Sequence, residues 1–171
     1  MANDSPVDEH RSGAPTVLMV AVLTVSDTRT FETDASGALI VELLEAAGHR
    51  VEARGIVADE ADLLRAEIDR FRKKADLHAI LITGGTGIGP RDRTFETVSE
   101  LLTTPLPGFG ELFRMLSYAE IGSACILSRA IGGLIEKTVL LIMPGSRAAV
   151  RLAMEKIVLP ELPHLVREAT K

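Results

Sequence analysis

Short apolar runs alternate with helix-like segments before Pro105, and this alternation constrains the fold more than any other feature of the chain. The runs are rich in valine, leucine and isoleucine, which suits strands buried on both faces of a sheet. The segments between them carry apolar residues at helical spacing. Strands are predicted at Val17–Val25, Val51–Val57 and His78–Thr83, and helices at Ser36–Ala47, Asp59–Phe71 and Asp92–Leu102. The pattern predicts a three-layer α/β fold, with a mostly parallel sheet between helices.

The pattern is less regular after Pro105. We predict a helix at Glu111–Ala119, an irregular hairpin at Cys125–Ile135, a central strand at Lys137–Met143 and a last helix from about Arg147 to Val158. Pro160 and Pro163 are expected to interrupt any continuation of that helix, because proline lacks the N–H group that a helix interior needs.

The length of the chain predicts one domain. Its 171 residues, of which 46% are hydrophobic, suffice for a sizeable core. The first residues are rich in Pro, Gly, Ser and acidic side chains, which favours a flexible tail. We predict a tail over residues 1–15 and a single domain over residues 16–171.

Composition argues against several functional classes. A net charge of −5 argues against a nucleic-acid-binding face. The apolar run Val17–Val25 is far shorter than the ~20 residues that span a bilayer, so no membrane segment is expected. A single cysteine, Cys125, cannot form an internal disulfide, which favours the cytoplasm, and its apolar neighbours predict a buried, inert thiol. Zinc-ligand spacing is absent among the histidines, which are His10, His49, His78 and His164.

Four predicted strands end in polar or glycine-rich residues, and the segment that follows Ile82 stands out. Its sequence, Thr83-Gly84-Gly85-Thr86-Gly87, lets backbone N–H groups approach an anion without an intervening Cβ. The other ends are Thr24-Val25-Ser26-Asp27, Val57-Ala58-Asp59 and Met143-Pro144-Gly145-Ser146. Parallel strands bring such ends to one edge of the sheet, where ligands bind in open α/β folds. We therefore predict a site for a phosphate-bearing small molecule at this edge.

The glycine loop differs from two familiar phosphate-binding sequences. No Gly-Lys-Ser/Thr follows it, and Pro90 stands where a dinucleotide-binding loop needs its last glycine. A tight turn between strand and helix is the simpler interpretation. The excess of glycine and threonine over what a turn needs favours a ligand.

Asp59 and Asp92 each have two interpretations. Each could cap the helix that follows it, since aspartate is a preferred N-cap residue. Together they could hold Mg²⁺, which takes one or two carboxylates plus substrate phosphates. Without a cation, acids beside a phosphate would repel it.

The remaining polar residues at this edge also have structural alternatives. Ser26 and Asp27 could form an Asx turn, whereas Asp34, Ser36 and Gly37 could form a loop and a helix cap. Ser146 could cap the last helix or donate to an anion. We find no Ser-His-Asp or Cys-His arrangement for covalent catalysis.

These segments, in this order, resemble one family. Thr83 to Gly87 is followed by Asp92, then by Pro107-Gly108-Phe109-Gly110-Glu111, Ser128-Arg129-Ala130 and Met143-Pro144-Gly145-Ser146, with Ser26-Asp27 and Asp34-x-Ser36-Gly37 upstream. The chain is similar to the MoaB/Mog family of molybdenum cofactor biosynthesis proteins over nearly everything from Val17 to about Pro163. The stretch from Gly110 to Ser117 and the Met-Pro-Gly-Ser turn look more like the MoaB branch than the MogA branch.

The resemblance implies a molybdopterin-binding fold. It also implies transfer of adenylate from Mg-ATP to the terminal phosphate of molybdopterin, with release of pyrophosphate. Asp59 and Asp92 match the family's paired catalytic acids and Mg²⁺ ligands. The residues that match the pterin and phosphate pocket are Ser26, Asp27, Thr83, Gly84, Gly85, Thr86, Gly87, Ser128, Gly145 and Ser146. Glu111 matches an acid that could pair with the aminopyrimidine edge of the pterin.

Two functional hypotheses follow. The first is a molybdopterin adenylyltransferase that passes its product to the molybdenum insertase, and the second is a non-catalytic protein that binds and delivers molybdopterin. The family also implies a homo-oligomer, either a trimer or a hexamer. The apolar residues of the segments Phe109–Ile121 and Ile126–Ile135 agree with a subunit interface, although a place in the monomer's own core is the simpler alternative.

Overall fold

Six strands form one mixed sheet in the computed structural model, which describes residues 14–171. The strands are β1 Met19–Val25, β2 Arg50–Val57, β3 Ala79–Thr83, β4 Thr104–Pro105, β5 Ile131–Ile135 and β6 Thr138–Met143. Their order in the sheet is β2-β1-β3-β6-β5-β4. The first four strands of this order run parallel, whereas β5 and β4 pair antiparallel at one edge. The predicted mostly parallel sheet is confirmed.

Helices cover both faces of this sheet. They are α1 Ala35–Ala46, α2 Ala61–Arg72, α3 Thr94–Leu101, α4 Pro107–Ile121, α5 Arg147–Ala153 and α6 Leu159–Thr170. Alternate residues of each strand point to opposite faces, so Val20 and Val22 pack with α1, α4, α5 and α6, while Ala21 and Leu23 pack with α2 and α3. The predicted three-layer α/β architecture is therefore confirmed.

The last helical region is longer than predicted. A π-helical segment, Met154–Val158, joins α5 to α6, and α6 continues to Thr170 with Pro163 inside it. The expected interruption at Pro160 and Pro163 is therefore wrong. Leu162 and Val166 are buried against the sheet, so packing favours the continued helix. The wide π turn shifts the hydrogen-bonding register just before the prolines, and this shift reduces the cost of their missing N–H groups.

The region between α4 and β6 also differs from its prediction. Gly122–Leu127 is a 3₁₀ helix, and Ile131–Ile135 is a single strand that pairs with β6, so Cys125–Ile135 is not itself a hairpin. Gly132 is needed here because a Cβ would lie 2.6 Å from Leu141 Cδ2 and 3.1 Å from Phe109 Cβ. Cys125 is only half-buried, contrary to prediction. The two-residue strand β4 has no sequence signal and was missed.

Within residues 14–171, no helix is both long enough and apolar enough to cross a membrane. Most of the predicted tail, residues 1–13, lies outside the described residues.

Candidate functional site

The loops after β1, β2, β3 and β6 meet at one edge of the sheet, as their parallel direction requires. Ser26 N donates to Val57 O at 2.8 Å, and Asp59 N donates to Asp27 Oδ1 at 3.2 Å, which joins the first two loops. Thr83 Oγ1 donates to Pro144 O at 3.2 Å, which joins the last two. The four strand ends singled out in the sequence therefore form one continuous surface.

A cleft of about 290 Å³ opens between the loops that follow β1, β3 and β6. Its lining residues are Thr24, Val25, Ser26, Arg29, Asp34, Ala35, Ser36, Thr83, Gly84, Gly145, Ser146 and Arg147. Five of the predicted binding residues are among them. Arg29 and Arg147 were not predicted, yet they add the positive charge that an anionic ligand needs. Their positions, one in a polar loop and one at the start of a helix, were the only sequence signal.

The glycine loop has a conformation that other residues adopt only with strain. Gly84 and Gly85 have φ values of +100° and +61°. A Cβ on Gly84 would overlap Val25 O, and one on Gly85 would overlap the side chains of Asp59 and Thr94. The loop is thus held close against the neighbouring loop and the start of α3.

Three aspartates lie behind this loop. Asp59 Oδ1 accepts from Arg93 N at 3.1 Å, and Asp92 Oδ2 accepts from Gly89 N at 2.9 Å. Asp27 pairs with the exposed side chain of Arg91 at 2.8 Å. The N-cap positions of α2 and α3 are Glu60 and Arg93, without a side-chain cap hydrogen bond. The alternative interpretation, in which Asp59 and Asp92 cap the helices that follow them, is therefore wrong.

The electrostatic environment of Asp59 is unfavourable for its charge. Burial raises the pKa of this carboxyl above its ordinary value, and the charges of Asp92 and Asp27 raise it further, against the opposing effects of Arg93 N–H and Arg91. A divalent cation beside Asp59 and Asp92 would relieve this repulsion, so the donors fit Mg²⁺. The described residues contain no cluster of three or more potential metal ligands. Water and substrate phosphates would have to supply the remaining ligands.

Asp34 has a structural task. Its carboxylate accepts from Gly37 N at 2.8 Å, which caps α1, and also from Thr24 Oγ1 and Arg54. Burial alone would raise its pKa, but these hydrogen bonds and the charge of Arg54 outweigh burial and hold the pKa below the ordinary value. Asp34 therefore orders the cleft wall.

The serines at this edge also make structural contacts. Ser146 caps α5 by accepting from Ala149 N at 3.2 Å. Ser26 Oγ accepts from Thr28 N and Arg29 N, which forms the turn after β1. Both serines are nevertheless at the cleft, and each hydroxyl retains its own proton for donation to an anion.

Six of the predicted binding residues do not line the cleft. Asp27, Gly85, Thr86 and Gly87 lie in the loops around it, whereas Ser128 and Glu111 lie outside these loops. Ser128 lines a small cavity of about 120 Å³ with Pro144 and Ser146. Glu111 is exposed on α4 and lines neither this cavity nor the cleft.

Comparison with known proteins identifies the family. Residues 21–164 match the family model described as a probable molybdopterin binding domain. The molybdenum cofactor biosynthesis protein B of Bacillus subtilis is 51% identical over 166 residues, which cover 96% of this chain and 98% of that protein.

The chain belongs to the MoaB family of molybdenum cofactor biosynthesis proteins.

Solved structures of this family have the same fold. A crystal structure of molybdenum cofactor biosynthesis protein B has a TM-score of 0.89 at 51% identity, over 92% of this chain and 98% of that one. A MogA structure has a TM-score of 0.76 at 26% identity, over 88% and 99% of the two chains. The chain is thus more similar to the MoaB structure than to the MogA structure in both sequence and fold, as the MoaB branch predicts.

One further residue at this edge of the MoaB-family chain was not among the predicted site residues. Arg129 lies in the segment between the 3₁₀ helix and β5, and its guanidinium contacts the carbonyls of Thr86, Gly87 and Asp92. It also lines a second cleft of about 330 Å³. Only its place in the segment Ser128-Arg129-Ala130 marked it in the sequence.

Proposed function

We propose that this protein binds molybdopterin and adenylylates it with Mg-ATP, releasing pyrophosphate. The observation that carries the proposal is the position of two acids, Asp59 and Asp92, against a glycine loop whose first residues, Thr83 and Gly84, line the cleft. A glycine loop suits a phosphate, and the acids suit the cation that accompanies a nucleotide triphosphate.

The reaction requires little covalent chemistry from the protein. An oxygen of the terminal phosphate of molybdopterin forms a bond to the α-phosphorus of ATP. The bond from that phosphorus to the oxygen bridging to the β-phosphate breaks, and pyrophosphate leaves with the electron pair. Catalysis of such a transfer is mainly positioning and charge stabilisation.

The residues divide this work between them. Backbone N–H groups of Gly85 to Gly87 would hold phosphate oxygens, whereas the Gly84 N–H already donates to Met143 O at 3.3 Å. The arginines of the cleft, Arg29 and Arg147, would offset the negative charge. Asp59 and Asp92 would hold Mg²⁺, which neutralises charge on the triphosphate when bound. Asp27 keeps Asp59 in place through the Asp59 backbone N–H.

The second candidate is molybdopterin binding and delivery without chemistry. The ion pair between Asp27 and Arg91 favours it, because this pair already neutralises one carboxylate of the acid cluster in the free protein. The side chain of Arg91 is 70% exposed, however, so breaking its ion pair with Asp27 costs little free energy.

Pyrophosphate release from ATP, measured with and without molybdopterin, decides between the candidates. Molybdopterin-dependent release supports adenylylation, whereas molybdopterin binding without release supports delivery. Asp92→Asn should reduce release at least about 100-fold, the scale for losing a group that stabilises developing charge. The amide oxygen can still accept from Gly89 N, so the fold should remain. Asp62→Asn, a change of an exposed acid in α2, is the matched control and should retain wild-type release.

We also propose a trimer or hexamer as the functional form and the molybdenum insertase as the receiver of the product. Large apolar side chains are exposed on α4 and the 3₁₀ helix: Met115 63%, Tyr118 63%, Ile121 54%, Ile126 81% and Leu127 54%. Phe109, Phe113 and Ile135 are buried in the monomer and cannot form a subunit interface. The five exposed side chains are therefore the ones that support an interface.

A further inference from the structure

Arg129 holds the glycine loop through the backbone carbonyls of the loop. Its Nε donates to Thr86 O at 3.0 Å, and one terminal nitrogen, Nη2, donates both to Gly87 O and to Asp92 O, the latter at 3.1 Å. The other terminal nitrogen pairs with Glu96, and the Phe95 ring lies 5.2 Å from the guanidinium carbon. All three nitrogens therefore bind groups of the protein itself.

These contacts determine where the loop N–H groups point. In a planar trans peptide, the C=O of one residue and the N–H of the next point in opposite directions. Because Arg129 binds the carbonyls of Thr86 and Gly87, the N–H groups of Gly87 and Ile88 are turned away from it. A loop whose carbonyls are fixed in this way has its donors oriented before a phosphate arrives.

The same geometry connects Arg129 to Asp59. The peptide between Asp92 and Arg93 accepts from Arg129 through its carbonyl and donates to Asp59 Oδ1 through its N–H, at 3.1 Å. One rigid peptide unit thus lies between the guanidinium and the carboxylate. Asp92 is itself part of that peptide, so Arg129 orients the backbone of Asp92 and the N–H group that binds the Asp59 carboxylate.

We propose that Arg129 is the positioning residue of the site. It aligns the phosphate-binding N–H groups and the acids Asp59 and Asp92 without contacting the substrate. This role rests on the proposed function, because it assigns a phosphate to the glycine loop. A lysine could replace it only in part, since an ammonium group lacks the planar fork that reaches several carbonyls at once.

The test compares Arg129→Gln with Arg72→Gln. Arg72 is a matched control because its side chain is 22% exposed, like that of Arg129, and pairs with Asp69 and Glu136 away from the site. Hydrogen–deuterium exchange of the full chain is measured by mass spectrometry, together with molybdopterin affinity and pyrophosphate release. In Arg129→Gln, exchange should increase within residues 84–94 only, and molybdopterin affinity should fall about tenfold or more, because a small misplacement of a site is costly. Arg72→Gln should match the wild type in hydrogen–deuterium exchange and in molybdopterin affinity.

Different outcomes separate this inference from the proposed function. If the wild type binds molybdopterin but releases no pyrophosphate, adenylylation is wrong, while exchange and affinity still decide the role of Arg129. If the wild type does not bind molybdopterin, the proposed function is wrong, and hydrogen–deuterium exchange alone decides whether Arg129 positions the loop. Unchanged exchange in residues 84–94 of Arg129→Gln would overturn the inference, and so would a uniform increase along the chain.

Arg129→Lys covers the case in which Arg129→Gln does not fold. It keeps the charge beside Glu96 and should bind molybdopterin with an intermediate affinity, with exchange raised in the same segment. Wild-type exchange and affinity in this variant would show that charge alone suffices, which contradicts positioning by the guanidinium fork.

Discussion

At the scale of single residues, the site combines preorganisation with electrostatic strain. The glycines of the loop allow close packing, and the acids behind it repel one another. Asp59 illustrates the conflict, because its pKa is raised by burial and by two neighbouring carboxylates. A group that is unfavourable in the free protein but useful with a bound cation is typical of functional sites.

Replacement of Asp59 by asparagine should therefore stabilise the free protein while removing its proposed activity. A carboxyl with a raised folded-state pKa destabilises the fold at pH values above that pKa, where it is ionised. The change Asp59→Asn removes the charge, and the new amide oxygen can still accept from Arg93 N. Thermal unfolding at pH 7 should show a midpoint higher by about 1–4 °C, and pyrophosphate release should be lost. A lower midpoint, or unchanged release, would contradict this assignment.

Gly85→Val should abolish molybdopterin binding. From the sequence alone, the side chain is expected to block approach of the ligand and to be strained at any positive φ. The structure has that positive φ, and it adds that the Cβ would overlap Asp59 and Thr94. The loop must move, at a cost of about 1–3 kcal/mol. Gly108→Val is the control, because nothing lies within 4 Å of a Cβ there. Calorimetric titration with molybdopterin checks both, and retained affinity in Gly85→Val would place the phosphate elsewhere.

At the scale of secondary structure elements, the start of β1 depends on neutral histidine. Leu18 N and Met19 N donate to Nδ1 of His49 and His78, at 3.4 and 2.9 Å. Protonation of the His49 ring removes the acceptor of the Leu18 N–H. Because β1 is paired with both β2 and β3, its first residues connect three strands of the sheet.

The stability of the protein should accordingly decrease in mild acid. Burial lowers the pKa of His49, so the unfolded chain binds a proton at a higher pH than the folded chain does. The stabilisation is full above the unfolded value, near 6.5, and is lost as the pH falls below it towards the folded pKa. Urea unfolding between about pH 8 and pH 5 measures the loss, which His49→Gln should reduce.

At the scale of the whole molecule, the exposed apolar side chains of α4 and the 3₁₀ helix form a surface that water solvates poorly. Soluble monomers rarely expose extended apolar patches, and closed cyclic assemblies are the common outcome. The chain should therefore be trimeric or hexameric in light scattering at micromolar concentration. Met115→Glu with Ile126→Glu should dissociate it, whereas Leu63→Glu, at a 47% exposed position on α2, should not. A wild-type mass of one 18.4 kDa chain would contradict the assembly.

Much of the fold could be predicted because its signals are local. The runs that became β1, β3 and β6 are almost entirely apolar, so burial on both faces was the favourable solution for them. Helical spacing likewise predicted α1 and α2. The prolines of α6 misled the prediction, because the burial of Leu162 and Val166 and the π turn before them are tertiary effects.

The sequence by itself determined the layered architecture and the edge at which polar loops meet, since both follow from strand direction and hydrophobic pattern. Only the tertiary structure decided how the side chains at that edge are used. Asp59 came to accept from Arg93 N, 34 residues away, and Arg129 bound the glycine loop across 42 to 43 residues of chain. Hydrogen-bond partners so distant along the chain leave no periodic signal, because they form only when packing has brought the loops together.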